Sequence, residues 1–127
     1  MTTVLVVDDE ALIAMAFEAM LEDAGHRVAT AANGRQGLER LAEAPRPEVV
    51  LLDMMMPVMN GPAMLAAMAA DPELRGIPVI VLSSLPEEAV RARVGDGVAA
   101  ILLKPCRAEQ VLEAIARVLG GAREAGT

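Results

Sequence analysis

Val4-Leu5-Val6-Val7-Asp8-Asp9-Glu10 decides how this chain is read: four apolar residues, three of them β-branched, run straight into three acids. An apolar run without alternation is a strand covered on both faces, as in parallel sheets flanked by helices. The pattern recurs. Val49-Val50-Leu51-Leu52 ends in Asp53, Pro78-Val79-Ile80-Val81-Leu82 ends in Ser83-Ser84, and Ala99-Ala100-Ile101-Leu102-Leu103 ends in Lys104. Pro78 stands at the first position of its strand, where a missing N–H breaks no ladder. A weaker strand, Arg27 to Thr30, ends in nothing reactive.

Amphipathic stretches separate these runs. Residues 11–24 place Ile13, Phe17, Met20, Leu21 and Ala24 on one helical face, with Gly25 set to close the helix. Asn33 is a cap for a helix carrying Leu38, Leu41 and Ala42, which must stop before Pro45. Gly61-Pro62 opens a helix to about residue 70, and Ser84-Leu85-Pro86-Glu87 has capping-box spacing for one over 86–94. The last helix, over about 107–119, buries Val111, Ile115, Val118 and Leu119; Gly120-Gly121 should end it and leave 121–127 frayed. Five strand–helix units require right-handed parallel crossovers, which gives an α/β fold of three layers. Pattern alone leaves the strand order open.

Composition narrows the function. The 127 residues fit one domain, with 11 basic against 18 acidic residues and a formal net charge of −7. So acidic a surface repels phosphate backbones and anionic lipids, which argues against direct nucleic-acid binding. Phe17 is the only aromatic residue, too little for base stacking or for sandwiching a flavin. No apolar run approaches the ~18 residues of a membrane span, so no membrane insertion is expected. The N-terminus lacks the basic lead of a secretory signal, and the single Cys106 forms no internal disulfide, so a cytoplasmic location is expected.

In a parallel sheet every strand's C-terminal end lies on one edge, where ligands bind in open α/β folds. Asp8, Asp9, Asp53, Ser83 and Lys104 are thereby gathered at one crevice. Carboxylates so close repel unless a cation intervenes. Mg²⁺ suits a site with few protein oxygens because it keeps much of its water. Lys104 supplies a point charge on a flexible stem, and a serine hydroxyl can donate to the same anion. A metal, an amine, a hydroxyl and a carboxylate nucleophile together describe phosphoryl transfer to an aspartate.

These residues resemble the receiver domain of two-component response regulators. The likeness rests on Val-Val-Asp8-Asp9-Glu10, Leu-Leu-Asp53-Met-Met-Met56-Pro57-Val-Met-Asn60-Gly61, Val-Leu-Ser83-Ser84 and Leu-Leu-Lys104-Pro105. It covers nearly the whole chain, with residues 1–120 as the receiver. The resemblance implies a flavodoxin-like (βα)5 sheet of order 2-1-3-4-5. Strands 1 and 3 would then lie about 4.8 Å apart, close enough for Asp9 and Asp53 to share a metal. It further implies Asp53 as phosphoacceptor, Asp8 and Asp9 as the acidic pair on Mg²⁺, and the Met55 backbone carbonyl as a further ligand. Ser83 would be the hydroxyl that turns to the phosphoryl group, Lys104 the lysine that contacts it, and Pro105 would follow a cis bond. Ser84 is then left as a helix cap.

The expected function is that of a receiver phosphorylated by a sensor histidine kinase or a histidine phosphotransfer protein. It would signal through protein contacts and would not be a turnover enzyme. Three departures bear on this. The position three before Lys104, often aromatic in the family, is Ile101, which cannot swing between a buried and an exposed polar state as tyrosine does. The signal should then travel through Ser83, Ser84 and Leu85 to the helix that follows, with Arg91, Arg93, Ile101, Arg107 and Gln110 as an output face by analogy. Cys106 replaces a frequent phenylalanine. Met55 and Leu85, flanking the phosphoryl site, cannot orient water, which predicts a long-lived phospho-form. The rivals are a receiver belonging to a longer regulator or hybrid kinase and, from another class, a small Mg²⁺-dependent aspartate-nucleophile phosphatase. The phosphatase would carry an Asp-x-Asp on its first strand, whereas this chain has adjacent acids.

Overall fold

Each apolar run forms a strand, and each amphipathic stretch crosses back as a helix. The computed structural model describes residues 2–95 and 97–125. In chain order these are β1 (Thr3–Val7), α1 (Ala11–Asp23), β2 (Arg27–Ala31), α2 (Gly34–Leu41), β3 (Val49–Asp53), α3 (Gly61–Ala70), β4 (Val79–Ser83), α4 (Glu87–Val94), β5 (Ala100–Leu103) and α5 (Ala108–Ala125). All strand pairings are parallel, in the order β2-β1-β3-β4-β5. This is the flavodoxin-like α/β sandwich that the resemblance implied.

Burial explains the unbroken apolar strands. Alternate residues point to opposite faces, so Leu5, Val7, Val50, Leu52 and Val81 pack under α2, α3 and α4, against Leu41, Met64, Met68 and Val90. Val4, Val6, Val49, Leu51, Ile80 and Leu82 face α1 and α5, against Ala14, Leu21, Val111 and Ile115. Every residue of β1, β3 and β4 is buried. A fully buried Leu or Val contributes about 1.5–3 kcal/mol, so neither face can be left polar.

Register then places the chemistry. Val7 pairs with Leu52, so the chain leaves β1 and β3 at Asp8 and Asp53 side by side. Ser83 pairs with Leu103, and the Lys104 N–H donates to the Ser83 carbonyl at 2.7 Å.

Several local expectations hold. Gly25 has φ +94° as α1 ends, and Asn33 Oδ1 accepts the Gln36 N–H at 2.9 Å to cap α2. The Lys104–Pro105 bond is cis, as the resemblance implied; the cis Ala44–Pro45 bond had no sequence signal. Two expectations fail. Helix α4 starts at Glu87 with Pro86 as its cap and has no side-chain cap bond. Pro86 (φ −59°) sets the helix entry one residue past the expected start, which leaves Ser84 exposed and too far upstream to serve. Helix α5 runs through Gly120-Gly121 to Ala125. Glycine costs only about 1 kcal/mol within a helix, and Ala-Arg-Glu-Ala beyond it are better helix formers. Of the segment expected to fray, residues 126–127 lie outside the described residues.

Candidate functional site

The ends of β1, β3, β4 and β5 meet at one cleft of about 300 Å³, lined among others by Asp9, Asp53, Met55, Ser83, Leu85 and Lys104. Each of Asp8, Asp9 and Asp53 offers a carboxylate oxygen, and these atoms lie within 4.8 Å of one another. Asp8 and Asp53 are buried while Asp9 is exposed. One Asp8 oxygen accepts the Glu10 N–H at 2.9 Å; the other, Oδ2, is buried without a hydrogen-bond partner. A buried carboxylate oxygen left unpaired costs about 1–3 kcal/mol or more. Three hard oxygen donors, one from each carboxylate, fit a Mg²⁺ ion, which would relieve that cost.

Lys104 closes the cluster from the opposite side. Its ammonium donates to Asp53 Oδ1 at 3.1 Å and lies 3.7 Å from Asp8 Oδ2. Burial pushes the Asp8 carboxyl above its ordinary value; the Glu10 N–H and Lys104 oppose this, and the charges of Asp53 and Asp9 add to it. Burial pulls the Lys104 pKa down, but the Asp53 hydrogen bond and the charges of Asp53, Asp8 and Glu10 together outweigh it, so the net shift is upward. The lysine is therefore a cation held among acids, and no general base. Ser83 is buried at the rim, its hydroxyl accepting the Leu85 N–H at 2.9 Å.

The loop from β3 to α3 carries Met54, Met55, Met56 and Met59 and ends in Asn60-Gly61-Pro62. Asn60 Oδ1 accepts the Ala63 N–H at 2.9 Å and caps α3, a role the Asn-Gly-Pro order could have revealed. Gly61 donates to the Met54 carbonyl at 3.0 Å, and a Cβ there would stand 2.7 Å from the Asp53 carbonyl oxygen. Only glycine permits that approach. Gly61→Ala should therefore lower unfolding stability by about 1–3 kcal/mol, the usual cost of overpacking, read from urea denaturation; wild-type stability would refute the contact. Val58 has φ +65°, a left-handed backbone that costs a β-branched residue about 1–3 kcal/mol. No sequence signal announced it.

The residues assigned to switch and output divide. Ser84 and Leu85 line the cleft. Ile101 and Leu85 are half-buried against the same core cluster beneath α4, so an aliphatic fills the expected aromatic position by packing. Arg91 lies on α4, 3.7 Å from Glu87, outside the cleft. Arg93 and Arg107 are exposed; the Arg107 N–H is accepted by Gln110 Oε1 at 2.7 Å ahead of α5. Both arginines face the outer surface.

A family model described as "Response regulator receiver domain" matches residues 4–116. The chain belongs to the response regulator receiver family. It is 36% identical over 122 residues to protein PilH of Pseudomonas aeruginosa, which covers 95% of this chain and all of PilH. The chemotaxis response regulator CheY4 of Vibrio cholerae superposes with a TM-score of 0.84 at 32% identity, over 93% of this chain and 98% of that one. A signal receiver domain of a signal transduction histidine kinase from Syntrophus aciditrophicus superposes with a TM-score of 0.86 at 29% identity, over 95% and 92% of the two chains. Other relatives are longer, and the chain spans 24% or 17% of their length. Receivers of the chemotaxis type are signalling proteins of two-component systems and generally not turnover enzymes. Among the described residues no helix is long and apolar enough to cross a membrane.

Proposed function

We propose that this receiver takes a phosphoryl group from a phosphohistidine onto Asp53 with Mg²⁺ bound by Asp8, Asp9 and Asp53. The observation that carries this reading is the orphaned Asp8 Oδ2, buried beside two further carboxylates and one lysine. Mg²⁺ bound there, with the Met55 carbonyl as a further ligand, would neutralise charge on the carboxylates and on the phosphoryl oxygens. An Asp53 carboxylate oxygen attacks phosphorus, the phosphorus–nitrogen bond breaks, and the imidazole leaves with the electron pair. Lys104 balances the charge that arrives, and the Ser83 hydroxyl, once released from the Leu85 N–H, donates to a phosphoryl oxygen. The donor is a sensor histidine kinase or a histidine phosphotransfer protein of the cytoplasm. The output is a protein contact through the surface near Arg91, Arg93, Ile101, Arg107 and Gln110, with no nucleic-acid or membrane role.

A second reading has residues 1–120 serving as the receiver of a longer regulator or hybrid kinase; the likeness to a receiver domain from a histidine kinase favours it. Both readings share one test. The protein incubated with acetyl phosphate and Mg²⁺ should gain the mass of one phosphoryl group. Asp53→Ala, or EDTA, should abolish the gain. Phosphorylation that persists in Asp53→Ala sinks the assignment.

A further inference from the structure

Helix α2 reaches the phosphorylation loop through a backbone hydrogen bond. The Gly34 N–H, at the first residue of α2, donates to the Met59 carbonyl at 2.8 Å. A Cβ on Gly34 would stand 2.8 Å from that same oxygen, 2.8 Å from Met59 Cγ and 3.0 Å from Met64 Cβ. Met59 in turn closes a tight turn, its N–H donating to the Pro57 carbonyl at 2.6 Å across the left-handed, exposed Val58. At the base of the loop the Gly61 N–H holds the Met54 carbonyl. Met55, Met56 and Pro57 are therefore strung between two clamps, one joining Met54 to Gly61 and one joining Met59 to Gly34 on α2.

We propose that Gly34 is a positioning residue for the metal site: by holding the Met59 carbonyl it fixes the loop segment that presents Met55 to the acidic cluster. The inference rests on the Mg²⁺ reading of the site and adds to it a residue on an element that supplies no ligand. Metal sites tolerate small displacements of a ligand poorly, and loss of an outer partner commonly weakens binding about 10–100-fold. The strain at Val58 fits the same purpose. A β-branched residue in that backbone persists only where its surroundings impose it, and the Gly34–Met59 bond is one of the contacts imposing it.

The test is a Mg²⁺ titration by calorimetry, run beside thermal unfolding, on the full chain and three variants. Gly34→Ala should bind Mg²⁺ about tenfold more weakly. Val58→Gly, which adopts the turn without strain but lets it open, should also lose affinity while its thermal midpoint stays unchanged or rises. Gly37→Ala lies on the same helix, but its Cβ would meet the flexible end of Met64 (Cε 2.9 Å, Sδ 3.0 Å) and Val7, away from the loop. It should lose stability and keep wild-type affinity. A Gly34→Ala protein with wild-type affinity, or a Gly37→Ala protein with the same loss, overturns the positioning role. Should Gly34→Ala fail to fold, Val58→Gly decides, and wild-type affinity there overturns it. A wild type that takes up no Mg²⁺ overturns the metal reading itself, whereas normal wild-type uptake with unchanged variants overturns this inference alone.

Discussion

Asp8→Asn will make the metal-free protein more stable than the wild type at neutral pH and remove its stabilisation by Mg²⁺. Asp8 is 3% exposed, and its Oδ2 has no hydrogen-bond partner, only the Lys104 ammonium 3.7 Å away. Burial first, and the nearby charges of Asp53 and Asp9 next, raise its pKa above the value of the unfolded chain against the pull of Glu10 and Lys104. A raised acid pKa means that the native state binds the proton more tightly than the unfolded state. Between the two pKa values this group's contribution to stability therefore falls as pH rises. The penalty is absent below the ordinary carboxylate range and complete above the raised value. Neutralising the side chain should recover about 1–3 kcal/mol at pH 7, the scale of an unsatisfied buried polar group, and the advantage should shrink as the medium is acidified. Wild-type protein should gain stability from Mg²⁺, which would bind the native state alone, and Asp8→Asn should lose most of that gain. Thermal midpoints of both proteins, with and without Mg²⁺ and at two pH values, provide the check. A metal-free variant less stable than wild type would show that the cluster is held by its lysine and needs no cation.

The second large effect concerns how long the phosphoryl group stays. Hydrolysis of an acyl phosphate requires a water held in line behind phosphorus. Among the side chains lining the cleft, Met55 is 68% exposed and Leu85 is half-buried. Leu85 has no polar side-chain atom and the Met55 thioether is only a weak acceptor, so neither orients water. The phosphorylated protein should accordingly decay slowly, and Met55→Asn, which places an amide at the same rim, should hasten decay about tenfold. That figure lies below the roughly 10²–10⁴ of full proton transfer, because an amide only orients water. The measurement is loss of the phosphoryl mass over time after removal of the donor. Wild-type decay as fast as that of Met55→Asn would mean that some other group already positions the water.

Much of this protein was legible in its sequence because the decisive signals were local. Apolar runs marked β1, β3 and β4, and Asn33 marked the start of α2, since a strand's cover and a helix's first turn are set within a few residues. The acids, serine and lysine stood at strand ends, and parallel strands bring such ends to one edge. Where local rules competed, the reading erred. Ser84 satisfied the capping pattern, but Pro86 fixed the entry to α4 and left the serine outside it. Gly120-Gly121 resembled a stop, but two glycines among good helix formers do not suffice to end α5.

The sequence by itself determined the layers, the elements and the chemical types gathered at the cleft, because periodicity and strand-end polarity are written within single elements. Tertiary structure alone decided that one Asp8 oxygen would be buried without a hydrogen-bond partner, that Val58 would be held in a left-handed turn, and that Gly34 would close on Met59. Each of these depends on how closely elements distant in the chain approach one another. That distance is set by packing of the whole core and by no residue's own preference.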